Sequence, residues 1–216
     1  MFKKLVIFIV VVIAVLVLVN NYHTPARPIP ENTATSTPKA WHIFISDKYH
    51  IKFEYPDDWQ VYEGLSPGET PVINVYKKSE TQKPPFIHHN AVTNVSFFPH
   101  GVPTEGLQGV TVPTTMAFKE IREQGIDWTL ADGSHFATFA TFRNPPLGWK
   151  EYGFAWARLA IANETEVCMK AGQEVAMEQC DMGIESEGGI IVYKGTIDQA
   201  DRDIQQRIFQ SLTFNL

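Results

Sequence analysis

The chain is poor in cysteine, in basic charge and in familiar catalytic motifs. Two cysteines among 216 residues allow one disulfide at most. They form no C-x-x-C and have no nearby histidine, so a zinc tetrahedron lacks its ligands. Lysine and arginine total 18 against 24 acids, a formal charge of −6. Residues 1–40 carry Lys3, Lys4, Arg27 and Lys39 against Glu31, a net of +3, which leaves −9 for residues 41–216. A domain of that sign repels phosphate backbones, and no basic stripe interleaved with aromatics offsets it, so nucleic acid is an unsuitable partner. The chain has no G-x-S-x-G elbow, no H-E-x-x-H, no phosphate-binding G-x-x-x-x-G-K-[ST] and no G-x-G-x-x-G. The common hydrolase, metalloprotease and nucleotide-binding classes therefore lose their signatures. No catalytic, cofactor or metal residue is assigned on sequence grounds, and no cofactor is expected.

The N-terminus is rich in what the rest lacks. Leu5 to Val19 is an unbroken run of 15 apolar residues behind Lys3 and Lys4. As a helix it spans about 22 Å, short of the roughly 30 Å hydrocarbon core, but Met1 and Phe2 extend it while the lysines snorkel. No small-residue cleavage site follows, so residues 1–20 are expected to be an uncleaved signal anchor, one transmembrane helix. The lysines hold its start in the cytoplasm and place the C-terminal domain outside. The membrane is thus one expected partner. Residues 21–40 hold Pro25, Pro28, Pro30 and Pro38 among threonines and few large apolar groups. That composition predicts an extended linker, up to roughly 60 Å long.

Residues 41–216 are expected to form one globular domain. Its clearest stretch is Asp47 to Val61, DKYHIKFEYPDDWQV. Tyr49, Ile51, Phe53 and Tyr55 alternate with His50, Lys52 and Glu54, the period of a half-buried strand. Pro56 ends it, Asp57-Asp58 suits a turn, and Trp59 and Val61 begin a second arm, which predicts a hairpin. Further strands are expected at 41–46, 72–77, 91–98, 136–142 and 152–161. In FATFATF, residues 136–142, phenylalanine recurs every third position, which predicts a strand covered on both faces. The segments 164–170 and 189–194 read as a last hairpin. Helical spacing predicts helices over 114–124, with Gly125 as its stop, and over 198–212, capped by Asp198. The expected class is α+β: a mostly antiparallel sheet flanked by helices.

The run KYHIKFEYPDDWQV resembles the opening of Mog1/PsbP-like domains, and the closing IQQRIFQSLTF resembles their usual end. The two segments bracket nearly all of the globular part, while the middle of the chain has no residue-by-residue match. The resemblance implies an α/β/α sandwich. It also implies an accessory, protein-binding role, since members of that superfamily are mostly accessory subunits.

Cys168 and Cys180 lie between two expected strand arms, and an exported domain meets an oxidising compartment. A disulfide between them is expected, worth about 3 kcal/mol in the chain-entropy picture; two unrelated buried thiols are the alternative. Two functional readings follow. The first is a membrane-tethered extracytoplasmic, non-catalytic binding or accessory module with a protein partner. The second is an exported hydrolase or metal-dependent enzyme, with His88, His89 and His100 beside Glu54, Asp57 or Asp58 as its best candidates. Trp149, next to Pro145-Pro146, is a candidate for an exposed recognition patch.

Overall fold

The chain enters its first strand at Trp41, where alternating apolar and polar residues leave a half-buried extended segment as the stable choice. The structure is a computed structural model and describes residues 40–87, 91–103, 107–180 and 189–214. The expected anchor over residues 1–20 and the linker up to residue 39 lie outside the described residues.

Thirteen strands and one longer helix follow among the described residues. The strands are β1 (Trp41–Ser46), β2 (Ile51–Pro56), β3 (Trp59–Leu65), β4 (Pro71–Lys77), β5 (Asn94–Phe98), β6 (Val110–Pro113) and β7 (Arg122–Thr129). Then come β8 (His135–Phe142), β9 (Phe154–Arg158), β10 (Ala162–Lys170), β11 (Gln173–Val175) and β12 (Ile190–Thr196). Helix α1 (Gln199–Ser211) and the short β13 (Thr213–Phe214) close the chain. A seven-stranded sheet runs β3-β4-β5-β9-β8-β7-β6; β1-β2-β13 and β11-β10-β12 make two three-stranded sheets. Every pairing is antiparallel.

This corrects the expected α/β/α sandwich. Among the described residues the chain is mostly antiparallel β-sheet with a single substantial helix. The predicted helix over 114–124 does not form. Val112, Thr114, Met116, Phe118 and Glu120 turn inward, while Thr111, Pro113, Thr115, Ala117 and Lys119 face solvent. That is period two, not 3.6. The Thr114 amide donates to the Gly125 carbonyl across the loop (3.1 Å), and the Arg122 guanidinium donates to the Met116 carbonyl (3.2 Å). These bonds hold the segment extended without a helix, and Ile121 is exposed.

The predicted hairpin over 49–61 is corrected too. Pro56 does end β2, but β2 pairs with β1 and β13, whereas β3 pairs with β4. The Asp57-Asp58 turn carries the chain from one sheet to another. It is held by the Asp57 amide on the Ala40 carbonyl and the Lys78 amide on the Asp58 carbonyl, both 2.9 Å. Two amphipathic strands in a row look alike whether they pair or part.

Helix α1 covers one face of the large sheet. The Asp198 carboxylate accepts from the Ala200 amide at its start (2.9 Å), supplying the expected cap. Ile204, Ile208, Phe209 and Leu212 join Ile51, Phe53, Trp59, Val75 and Phe97 in the main core. Phe53 stacks on Phe97 at 5.1 Å, and Phe97 meets Phe209 edge-on at 6.2 Å. Each such ring withdrawn from water contributes about 2–3 kcal/mol. The opposite face carries a second core of Trp128, Phe136, Phe154 and Trp156, against which Tyr193 of β12 packs. FATFATF serves both. Trp128 faces Ala137 and Thr129 faces His135, leaving Phe136 as an extra, bulged residue. Phe136 and Phe139 therefore join the second core while Phe142 joins the first.

Cys168 and Cys180 are disulfide-bonded, with Cα atoms 5.7 Å apart. The bond ties β10 to the turn after β11. Gly189 lies so close to the Cys168 sulfur that a Cβ there would overlap it.

Candidate functional site

Among the described residues, the expected histidine and carboxylate candidates do not gather. His88 and His89 lie outside the described residues. His100 follows the far end of β5, where its Nε2 lies 3.0 Å from the Gly148 carbonyl oxygen and its ring meets Tyr49 edge-on. Asp57 and Asp58 are exposed at the other end of the sheet, beside Lys78. Glu54 pairs instead with Arg207 of α1 (3.2 Å). Among the described residues no three His, Cys, Asp or Glu side chains converge as a metal cluster. Trp149 is not an exposed patch: it is buried, and its indole N–H donates to the Tyr49 carbonyl (3.0 Å). Leu147 and Tyr152 on the same loop are the exposed ones.

The ionisable centre of the domain lies elsewhere, on Asp127. Strand β7 alternates its side chains across the sheet, and Asp127 falls on the face that α1 covers, fully buried. One oxygen, Oδ1, accepts the Thr114 and Thr138 hydroxyls, each at 2.6 Å. The other, Oδ2, accepts from His135 Nδ1 (2.8 Å), Arg202 Nη2 (3.0 Å) and the Thr115 amide (3.2 Å). Arg202 Nη1 donates onward to the Thr138 hydroxyl (2.9 Å). Burial pushes the Asp127 carboxyl up, but the two threonine hydroxyls, His135 and the Arg202 charge outweigh it and hold it below its ordinary range. Burial pulls Arg202 down, and the Asp127 charge opposes that.

An ionised carboxylate only accepts, so His135 donates through Nδ1 and presents Nε2 as its basic nitrogen. Its side chain is 28% exposed, and Nε2 has no hydrogen-bond partner among the described residues. This is the orienting half of a catalytic triad without the nucleophile: no described hydroxyl or thiol bonds to Nε2. Arg202 also consumes charge that a catalytic carboxylate would lend to its imidazole. What the arrangement does achieve is a clasp between β7, β8 and α1.

Two more contacts latch the same helix. Lys77 of β4 pairs with the largely buried Asp201 at 2.6 Å. Gln205, fully buried, donates to the Asn94 and Arg158 carbonyls at 3.0 and 2.7 Å. Two consecutive turns of α1 thus grip strands β4, β5, β7, β8 and β9. Sequence reading missed the clasp because Asp127, Thr138 and Arg202 are far apart in the chain. One signal was present: an acid set between Ile126 and Trp128 on a strand demands a partner if it is buried.

The outside of the molecule carries the other feature of note. Among the described residues β1 is an edge strand, paired only with β2. Ile43 and Ile45 are 58% and 52% exposed, while Phe44 and Ser46 turn inward. Trp41 packs at the margin of the core, with the Arg207 guanidinium 3.6 Å above its ring.

Fold and site together define an antiparallel β domain braced by one latched helix. No family model, no curated protein and no solved structure matches the chain. Nothing identifies a Mog1/PsbP-like domain, and the sandwich which that resemblance implied is not the fold seen. Among the described residues no helix is long and apolar enough to cross a membrane; residues 5–19 lie outside them.

Proposed function

We propose that the chain is a membrane-tethered, extracytoplasmic binding module that works through a protein partner and not through catalysis. The observation that carries this is β1: a six-residue edge strand with no charged residue, displaying Ile43 and Ile45 to solvent. Exposed apolar side chains on an unpaired strand edge are a template for another chain. The apolar run behind Lys3 and Lys4, and the proline-rich linker after it, supply a tether and a spacer that suit a presenting role. The buried charges support the same reading, because Asp127 and Arg202 are engaged in holding α1.

Site-specific photo-cross-linking from position 45 of the full-length protein in its own membranes tests this. A discrete cross-linked protein is expected from position 45, and none from the exposed position 119. Equal, diffuse labelling from both positions would contradict it.

The Asp127–His135 pair supports one competing reading, an exported hydrolase or metal-dependent enzyme. Metal analysis of the purified protein and a hydrolase substrate panel separate the two. Stoichiometric metal, or turnover abolished by His135→Ala, would favour the enzyme.

A further inference from the structure

We propose that the partner seated on β1 is a second copy of this chain, joined by antiparallel β1–β1 pairing about a twofold axis at Phe44. The proposal rests on the binding reading above. Three observations lead to it.

First, β1 is the edge without protection. Natural sheets blunt edges with charge, proline, bulges or shortness. β3 carries Glu63, β6 is four residues ending in Pro113, β11 is three residues with Glu174, β12 carries Lys194 and β13 is two residues long. β1 reads WHIFIS and has none of these devices.

Second, the edge is self-complementary, as a twofold interface requires. With Phe44 opposite its own copy, Ile43 faces Ile45 of the second copy and Ile45 faces Ile43. Directly opposed side chains point to the same face, so the four isoleucines form one apolar cluster across the joint. The same register sets Asp47 of the second copy opposite Trp41. Asp47 is exposed, and the Trp41 ring bears the Arg207 guanidinium at 3.6 Å, so each end of the joint brings a carboxylate to a cation.

Third, residues 41–216 carry a net charge of −9, and two such domains repel. The uncharged run from Ala40 to Ser46 is a place where they can approach with little repulsion. Two six-residue strands fall short of the roughly 1,200 Å² of a stable standard interface. The association is therefore weak in dilute solution and strengthened where tethers confine copies to one membrane.

Sedimentation of the full-length protein in detergent, across a wide range of concentration, tests the proposal. The wild type moves reversibly from monomer to dimer. Ile43→Glu/Ile45→Glu places like charges face to face and weakens the dimer by about tenfold or more. Ile43→Lys/Ile45→Glu sets opposite charges face to face in this register and restores most of the association. All three substitutions lie at exposed positions, and unchanged circular dichroism verifies their folding. A wild type that stays monomeric throughout overturns the proposal, as does a dimer that survives Ile43→Glu/Ile45→Glu. A monomeric wild type that still gives the position-45 cross-link to a different protein overturns self-pairing alone and leaves the binding reading standing.

Discussion

Helix α1 extends two arginines to two strand carboxylates, and the two pairs live in different solvents. Arg202 meets Asp127 at 3.0 Å with side chains 8% and 0% exposed. Arg207 meets Glu54 at 3.2 Å with side chains 49% and 42% exposed. The distances are nearly equal, so geometry does not distinguish them. Burial does. At the buried pair, water has been removed from both ions, and each depends on the other and on Thr114, Thr138 and His135. At the exposed pair, water screens the attraction and replaces either partner when it is lost. Equal ion pairs on one helix thus carry unequal consequences.

The largest effect is expected from breaking the buried pair. Asp127→Ala or Arg202→Ala leaves an uncompensated charge in the core and costs about 3–5 kcal/mol, read from urea denaturation. Replacing both at once, as Asp127→Leu/Arg202→Met, is expected to cost less than either single change, because no orphan ion remains. Thr138→Val removes a hydroxyl that donates to Asp127 and accepts from Arg202, for about 1–3 kcal/mol.

Acid sharpens the same contrast. The Asp127 carboxyl titrates lower in the folded protein than its ordinary 3.8. A lowered carboxyl contributes stability above its unfolded value and loses it as pH falls toward the folded one. The urea midpoint of the wild type is therefore expected to fall steeply below about pH 4. In Asp127→Asn that part of the slope disappears. The exposed pair closes the series. Arg207→Ala is expected to cost about 1 kcal/mol, chiefly the lost stacking on Trp41. Glu54→Gln is expected to cost less than about 1 kcal/mol, and added salt erases the difference.

The same division between inside and outside explains what was legible in the sequence. Strands announce themselves locally, so 41–46, 72–77 and FATFATF were readable, as was the capped helix after Asp198. Partnership between strands is not local. β2 and β3 alternate cleanly and share a proline turn, yet they belong to different sheets. Nor does the alternation in β1 say which set of residues faces in: Ile43 and Ile45 are exposed, and Phe44 packs on Phe53 at 5.0 Å. Residues 114–124 misled because Met116 and Phe118, two apart, accompany Ile121 in a stretch rich in helix formers, and tertiary contacts overrode that propensity. The disulfide was readable from spacing and compartment. The Asp127 clasp was not, because its members come from strands and a helix up to 75 positions apart. The histidines drew attention by number, although His100 is tied to a loop carbonyl and, among the described residues, only His135 meets a buried carboxylate.

The central claim is that charges inside this domain hold the fold while the uncharged edge outside it binds. Recovery of partner photo-cross-linked from the exposed position 42 of β1, in membranes carrying His135→Gln beside membranes carrying Ile43→Glu/Ile45→Glu, separates the two roles. Wild-type recovery is expected with His135→Gln, and loss with the isoleucine pair. Loss with His135→Gln at unchanged stability, together with full recovery from the isoleucine pair, would contradict it.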